Sequence, residues 1–252
     1  MKKWIGIVGL VAVGLLPAVS GADGATVRVG TLVLEADGSF EPRLLPKRSY
    51  APIRFEGYGD IRTTDGSVPP ALQHVKLEFD RDGRLTTAGL PTCQPGQVEG
   101  ATPEQARQRC RNAIVGTGNI AAAVAVPGLA RLQLRSPLTL FNGPRQGGNP
   151  TVVAHAQATF PFPETYVIVA PIERRGGLYR YRTAFDVPPL AGGFGSLTHV
   201  DAKIGRSYRA GGGERSYVSA RCSDYVLQTQ GYFSFADGTV VYGSAFKGCT
   251  PR

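Results

Sequence analysis

Several signatures of chemistry are missing from this chain. There is no G-x-S-x-G stretch, so the nucleophile elbow of an α/β-hydrolase is excluded. The three histidines, His74, His155 and His199, are too widely separated for any H-x-H, H-x-x-x-H or H-E-x-x-H metal motif. The four cysteines form no C-x-x-C pair, which removes the local spacing of a zinc or dithiol site. Asp80 to Gly83 reads like the start of a calcium loop. The third aspartate and the distant glutamate of that loop are absent, and a hairpin turn accounts for the segment better. Beyond the N-terminus there is no second long apolar run, no low-complexity linker and no residue-level repeat.

The N-terminus itself carries Lys2 and Lys3, an apolar run from Trp4 to Val19, and Ser20 and Ala22 placed as a small-residue cleavage site. Residues 1–22 are expected to be a secretory signal peptide, processed after Ala22. The run is interrupted by Gly6, Gly9, Gly14 and Pro17 and falls short of the ~20 residues of a spanning helix, which disfavours the rival reading of a retained anchor. No cysteine follows the site, which disfavours a lipoprotein. The expected mature chain, residues 23–252, has no transmembrane segment and is secreted or associated with the cell envelope. Its length suits one β-rich domain, with two smaller ones as the alternative. Losing Lys2 and Lys3 takes the formal charge from +9 to +7, which favours anionic neighbours without naming one.

In an exported chain, four cysteines read as two disulfides. Pairing nearest neighbours gives Cys93 with Cys110 and Cys222 with Cys249. The first pair lies in the segment that holds the one convincing helix, expected over about 102–115. Thr102 serves as N-cap, Pro103 as the first helical residue and Gln105 completes a capping box, with Gly116 as the stop. Ala106, Cys110, Ala113 and Ile114 then share one face, turning Cys110 toward Cys93.

Elsewhere the hydrophobic period is two. Val27, Val29, Leu32 and Leu34 alternate, as do Ile53, Phe55 and Ile61, and then Val75, Leu77 and Phe79. The last two runs are expected to pair, with Asp82-Gly83 as a further hairpin signal. Later hairpins are expected across 144–149, at Gly176-Gly177, over 210–214 and at Asp237-Gly238. The implied fold is all-β, an antiparallel β-sandwich or irregular barrel with one short helix.

An ordered set of motifs runs through the chain: LPTC ending at Cys93, A-x-x-x-C-x-x-A-I-V-G-T-G over Ala106 to Gly118, LFNG at Leu140 to Gly143, SYVSARC at Ser216 to Cys222 and FADGT at Phe235 to Thr239. In this set the chain resembles a family of exported proteins common in high-GC, actinobacteria-like genomes, for which no activity is established. The resemblance implies export and a β-rich fold and carries no site residues.

Candidate sites are sparse. His199 and Asp201 share a strand face, whereas Ser196 is an odd number of residues from His199 and is expected on the other side. Glycosidase chemistry needs two carboxylates about 5–10 Å apart, and Glu56, Asp60, Glu78, Glu164, Glu173, Asp186 and Asp201 offer no preferred pair. More suggestive are two basic and aromatic turns. One carries Arg174, Arg175, Tyr179, Arg180, Tyr181 and Arg182, and the other Arg206, Tyr208, Arg209, Arg215 and Tyr217. Arginine grips phosphate or carboxylate bidentately and tyrosine offers a stacking face. The expected function is a non-catalytic binding or structural protein of the cell envelope or its surroundings. Its partner would be an anionic polymer or glycan, with no specific nucleic acid, metal or cofactor. A secreted hydrolase of a polysaccharide or similar polymer is the alternative.

Overall fold

A computed structural model of the chain describes residues 24–160 and 162–252. The expected signal peptide and its cleavage site lie outside them. In chain order the strands are β1 (Ala25–Val29), β2 (Leu32–Glu41), β3 (Leu44–Leu45), β4 (Ala51–Pro52), β5 (Arg54–Thr63), β6 (Leu72–Asp80) and β7 (Gly83–Leu85). Helix α1 (Pro103–Arg109) intervenes. Then come β8 (Ile114–Val124), β9 (Leu132–Gln146), β10 (Asn149–Ala158), β11 (Glu164–Arg174), β12 (Tyr179–Asp186) and β13 (Gly195–Ile204). The last are β14 (Ser207–Ala210), β15 (Gly213–Ser216), β16 (Val218–Ala220), β17 (Val226–Phe235), β18 (Val240–Gly248) and β19 (Thr250–Pro251).

Twelve of these form one antiparallel sheet in the order β1-β2-β5-β13-β8-β9-β10-β11-β12-β6-β17-β18, which curls until β18 returns to β1. The expected all-β fold is present as a nearly closed barrel. At the seam Gly243 faces Ala25 and Val27 so closely that an added Cβ would lie 3.3 Å from each. Farther along, Lys247 Nζ bridges to Asp37 Oδ1 of β2 at 2.7 Å.

Alternation fills this barrel. Leu32, Leu34 and Ile61 on one wall meet Val75, Phe235 and Val241 on the other. Leu138, Leu140, Val115 and the fully buried Tyr217 pack toward one mouth. The opposite faces of β2, β5 and β13 carry Glu35, Asp37, Glu56, Asp60, Arg62, Asp201 and Lys203. On this wall apolar side chains point in and charged ones out, the reverse of the pattern in a membrane barrel's wall. No helix among the described residues is long and apolar enough to cross a membrane.

Both expected disulfides are present, Cys93–Cys110 and Cys222–Cys249. The capping box is also present, with the Thr102 hydroxyl accepting from Gln105 N and Gln105 Oε1 accepting from Thr102 N. The helix is shorter than expected. It ends at Arg109, passes through a 3-10 turn at Arg111–Ala113, and the β-branched Ile114 and Val115 already belong to β8. Its apolar face lies over the outside of β9 and β10, where Ala106 and the first disulfide pack with Phe141 and Val153.

The hairpins at β9–β10, β11–β12, β14–β15 and β17–β18 form as expected. The runs now seen as β5 and β6 do not pair. β5 lies between β2 and β13, and β6 between β12 and β17. Pro69 and Pro70 hold the link extended, so it crosses to the opposite wall instead of turning back. Nor does Asp82-Gly83 close a hairpin, because β7 continues onward to pair with β16.

Close approach makes one glycine indispensable. A Cβ on Gly118 of β8 would sit 1.9 Å from the carbonyl oxygen of Asp201 in β13. Gly118→Ala is expected to cost about 1–3 kcal/mol by overpacking, read as a lower denaturant midpoint. An unchanged midpoint would refute this account of β8–β13 packing.

Candidate anion-binding site

The small sheet β4-β16-β7 helps gather three arginines on one tyrosine ring. Ala220 stands opposite Ala51 and Gly83, and Ser219 opposite Pro52 and Arg84. One position further on, Arg221 N donates to Asp82 O at 3.0 Å. Tyr50, Arg221 and Asp82 therefore form one row, and Arg84 lies two residues from Asp82 on the same face. From the main sheet, Arg180 of β12 reaches into the same place.

The ring of Tyr50 is the hub. The guanidinium carbons of Arg84, Arg180 and Arg221 lie 5.4, 5.4 and 5.5 Å from its centroid. Such contacts are worth about 0.5–1 kcal/mol each at exposed sites, more where water is excluded. Arg180 also donates a short hydrogen bond to the Tyr50 hydroxyl. Only Arg221 has a carboxylate partner, with Nε 2.7 Å from Asp82 Oδ1. Among the described residues neither Arg84 nor Arg180 has one, and Asp224, itself paired with Arg81, adds only a weaker attraction on Arg221.

The anchor beneath is built firmly. The Asp82 side chain is fully buried, and its second oxygen accepts from Ser223 N at 2.7 Å. Burial alone would raise the Asp82 pKa. The hydrogen bonds from Ser223 and Arg221 outweigh that and hold it below the ordinary carboxylate value. Neighbouring Asp80 accepts from Asp82 N at 2.8 Å and Gln228 N at 3.0 Å. There burial dominates and raises the pKa.

The sequence-predicted arginines divide. Arg182 pairs with Glu173 at 2.5 Å, and Arg175 approaches the same carboxylate at 3.9 Å. Arg206 donates to the carbonyls of Arg111 and Ile114 and so ties β14 to β8. Arg215 donates to Ala210 O, closing its own hairpin. The Tyr208 hydroxyl bonds to the carbonyls of Thr86 and Ala88. Arg174 and Arg209 are exposed at the turns. Tyr179 lies over β17, its hydroxyl donating to Gln228 Oε1 at 3.4 Å. Only Arg180 joins the cluster, and Tyr50, Arg84 and Arg221 were missed. Their signal was faint: Arg84 only follows the turn read at Asp80 to Gly83, and Arg221 lies inside the SYVSARC motif.

The carboxylate and histidine array lies elsewhere, on the outer face of β5 and β13. His199 Nδ1 is 2.7 Å from Asp60, and Nε2 is 3.3 Å from Asp201. Contrary to the parity argument, Ser196 lies on the same side as His199. Ser196 stands opposite Ala123 and His199 opposite Ala121, because a bulge at Thr198 adds a residue. Ser196 is nevertheless buried, and both imidazole nitrogens are held by carboxylates, leaving none to activate a nucleophile. Burial opposes the charged ring, yet the Asp60 and Asp201 bonds prevail and its pKa rises. The array is a strut between strands. His74 pairs with Asp186, and buried His155 bonds through Nε2 to Ala101 O. No three His, Cys, Asp or Glu side chains converge as metal ligands among the described residues.

Neither family models, nor curated proteins, nor solved structures yield a match to the chain.

Proposed function

We propose that the protein is an exported, non-catalytic binding protein of the cell envelope or its surroundings, and that it holds an anionic polymer at the Tyr50 cluster. The observation that carries this reading is the packing of Arg84, Arg180 and Arg221 on one ring, with only Arg221 in an ion pair, to Asp82. Like charges held so close repel, and an anion between them relieves the repulsion while gaining charge-assisted hydrogen bonds. Arg174, exposed at the nearby β11–β12 turn, adds long-range attraction. Two disulfides and a basic chain are compatible with an extracellular setting.

Retention on immobilised polyphosphate tests this. It is expected to fall as salt rises from 0.1 M to 1 M, where the Debye length shrinks from about 10 Å to about 3 Å. Arg84→Gln combined with Arg180→Gln is expected to weaken it at least ~10-fold at low salt, about 1.4 kcal/mol or more. Arg209→Gln, at the other hairpin, is expected to change it less than ~3-fold, under about 0.7 kcal/mol. Unchanged retention in the double variant would refute the site.

A further inference from the structure

The outer face of β17 and β18 departs from the charged outer face of the opposite wall. Register places Tyr232 opposite Tyr242, Gln230 opposite Ser244 and Gln228 opposite Phe246. Their inward neighbours Phe233, Phe235 and Val241 fill the core, so this row faces out. Tyr242 is 53% exposed and Phe246 45%. Tyr225, just before β17, is 66% exposed and holds φ at +71°, a conformation a bulky side chain rarely adopts. The one cation over the strip, Lys76, lies 5.1 Å from the Tyr232 ring, and Glu78 follows it on the same face of β6. The strip is thus close to neutral: flat rings interleaved with carboxamides and a hydroxyl.

That composition fits the faces of sugar rings, with C–H groups against the aromatics and hydroxyls against a polar row of Gln228, Gln230, Ser244 and the Tyr179 hydroxyl that reaches across them. A charged or wholly apolar partner would leave one half of these groups unmatched. Tyr242 and Phe246 are four residues apart on one strand, about 13 Å, a span suited to a chain rather than a single sugar. The strip also runs into the arginine cluster. Tyr179, which bonds to Gln228, is the chain neighbour of Arg180, and Gln228 N binds Asp80, which binds Asp82, the partner of Arg221.

We propose that the β17–β18 face is a glycan-binding strip continuous with the Tyr50 arginine cluster, so that the polymer held is an anionic polysaccharide with flat, equatorially linked hexose rings. For its charged end only, this rests on the anion-binding reading above.

Two polymers with one backbone separate the parts: neutral hydroxyethylcellulose and anionic carboxymethylcellulose, compared by affinity electrophoresis at low salt. The wild-type protein is expected to bind both, the anionic one at least ~10-fold more tightly. Tyr242→Ala with Phe246→Ala is expected to lose at least ~10-fold toward both polymers, while Tyr242→Trp retains binding to both. Arg84→Gln with Arg180→Gln is expected to lose only the preference for the anionic polymer. Thermal unfolding of each variant checks that the fold is kept. If the Tyr242 and Phe246 variant binds both polymers like wild type, the strip is overturned and the anion reading survives. If the arginine variant keeps the anionic preference, the anion reading falls and the strip survives. Failure of the wild-type protein to bind either polymer overturns the strip.

Discussion

Replacing Cys222 and Cys249 together by alanine is expected to remove about 3–4 kcal/mol of stability and to weaken anion binding at the same time. The bond closes a 27-residue separation, which in the chain-entropy model is worth about 3.5 kcal/mol through restriction of the unfolded chain. Its native surroundings add to that. Cys222 and Cys249 pack with Phe40, Leu45 and Ala220, and alanine leaves a cavity where the sulfurs were. Cys249 N bonds to Tyr225 O, Thr250 N to Arg43 O and Cys222 N to Pro46 O, so the bridge fastens β19, β3 and the end of β16 to one another. Arg221 is the residue before Cys222. Loosening this corner lets the Arg221 backbone drift, so that its guanidinium no longer converges with Arg84 and Arg180 on the Tyr50 ring. The Cys93–Cys110 bond closes a shorter separation, 17 residues, and is worth about 3 kcal/mol on the same basis. It holds the helix over β9 and β10, away from Arg221. Its removal is expected to destabilise nearly as much while leaving polyphosphate retention within ~3-fold, about 0.7 kcal/mol. Urea titration and retention measured on both variants check the contrast. Equal loss of retention in the two would show that the corner at Cys222 has no special hold on the site.

What could be read in advance was local. The disulfides, the capping box and the hairpins of β9–β10, β11–β12, β14–β15 and β17–β18 each depend on residues near one another in sequence, and each formed, whereas the turn signal at Asp82-Gly83 closed no hairpin. What failed depended on the path of the chain through space. β5 and β6 are consecutive and similarly patterned, yet a barrel can seat consecutive strands on opposite walls, and two prolines in the link decide that it does. A single inserted residue, Thr198, moved Ser196 to the side of His199, because with a period of two one extra residue reverses every later orientation. The arginine cluster draws on four separate segments around Tyr50, Asp82 to Arg84, Arg180 and Arg221, and no window of sequence contains more than one of its parts. Arginine-rich turns were a partial guide. They located Arg180, but also Arg206 and Arg215, whose guanidiniums tie down backbone carbonyls.

Asp82→Ala is expected to cost roughly 2–4 kcal/mol, below the top of the range for broken buried ion pairs because Arg221 keeps some contact with water. The loss would come from leaving Ser223 N without an acceptor and Arg221 without its carboxylate. The pH dependence has a definite sign. The folded Asp82 pKa is depressed below the unfolded value of about 3.9, so its contribution is complete above that pH and is lost as pH falls through the folded pKa. Asp80 acts in the opposite sense, since its folded pKa is raised and its ionisation costs stability as pH climbs past the unfolded value. Asp82→Asn is therefore expected to lower stability at pH 7 and to flatten the acid limb of the stability curve. Function is expected to move the other way. With the carboxylate that pairs Arg221 gone, the cluster around Tyr50 gains one net positive charge, and polyphosphate retention at low salt is expected to strengthen ~3-fold or more, about 0.7 kcal/mol. Thermal unfolding from pH 3 to 7, paired with retention at pH 7, checks both limbs. A less stable Asp82→Asn protein with weaker retention would mean that Asp82 positions Arg221 for the ligand and does not compete with the ligand for it.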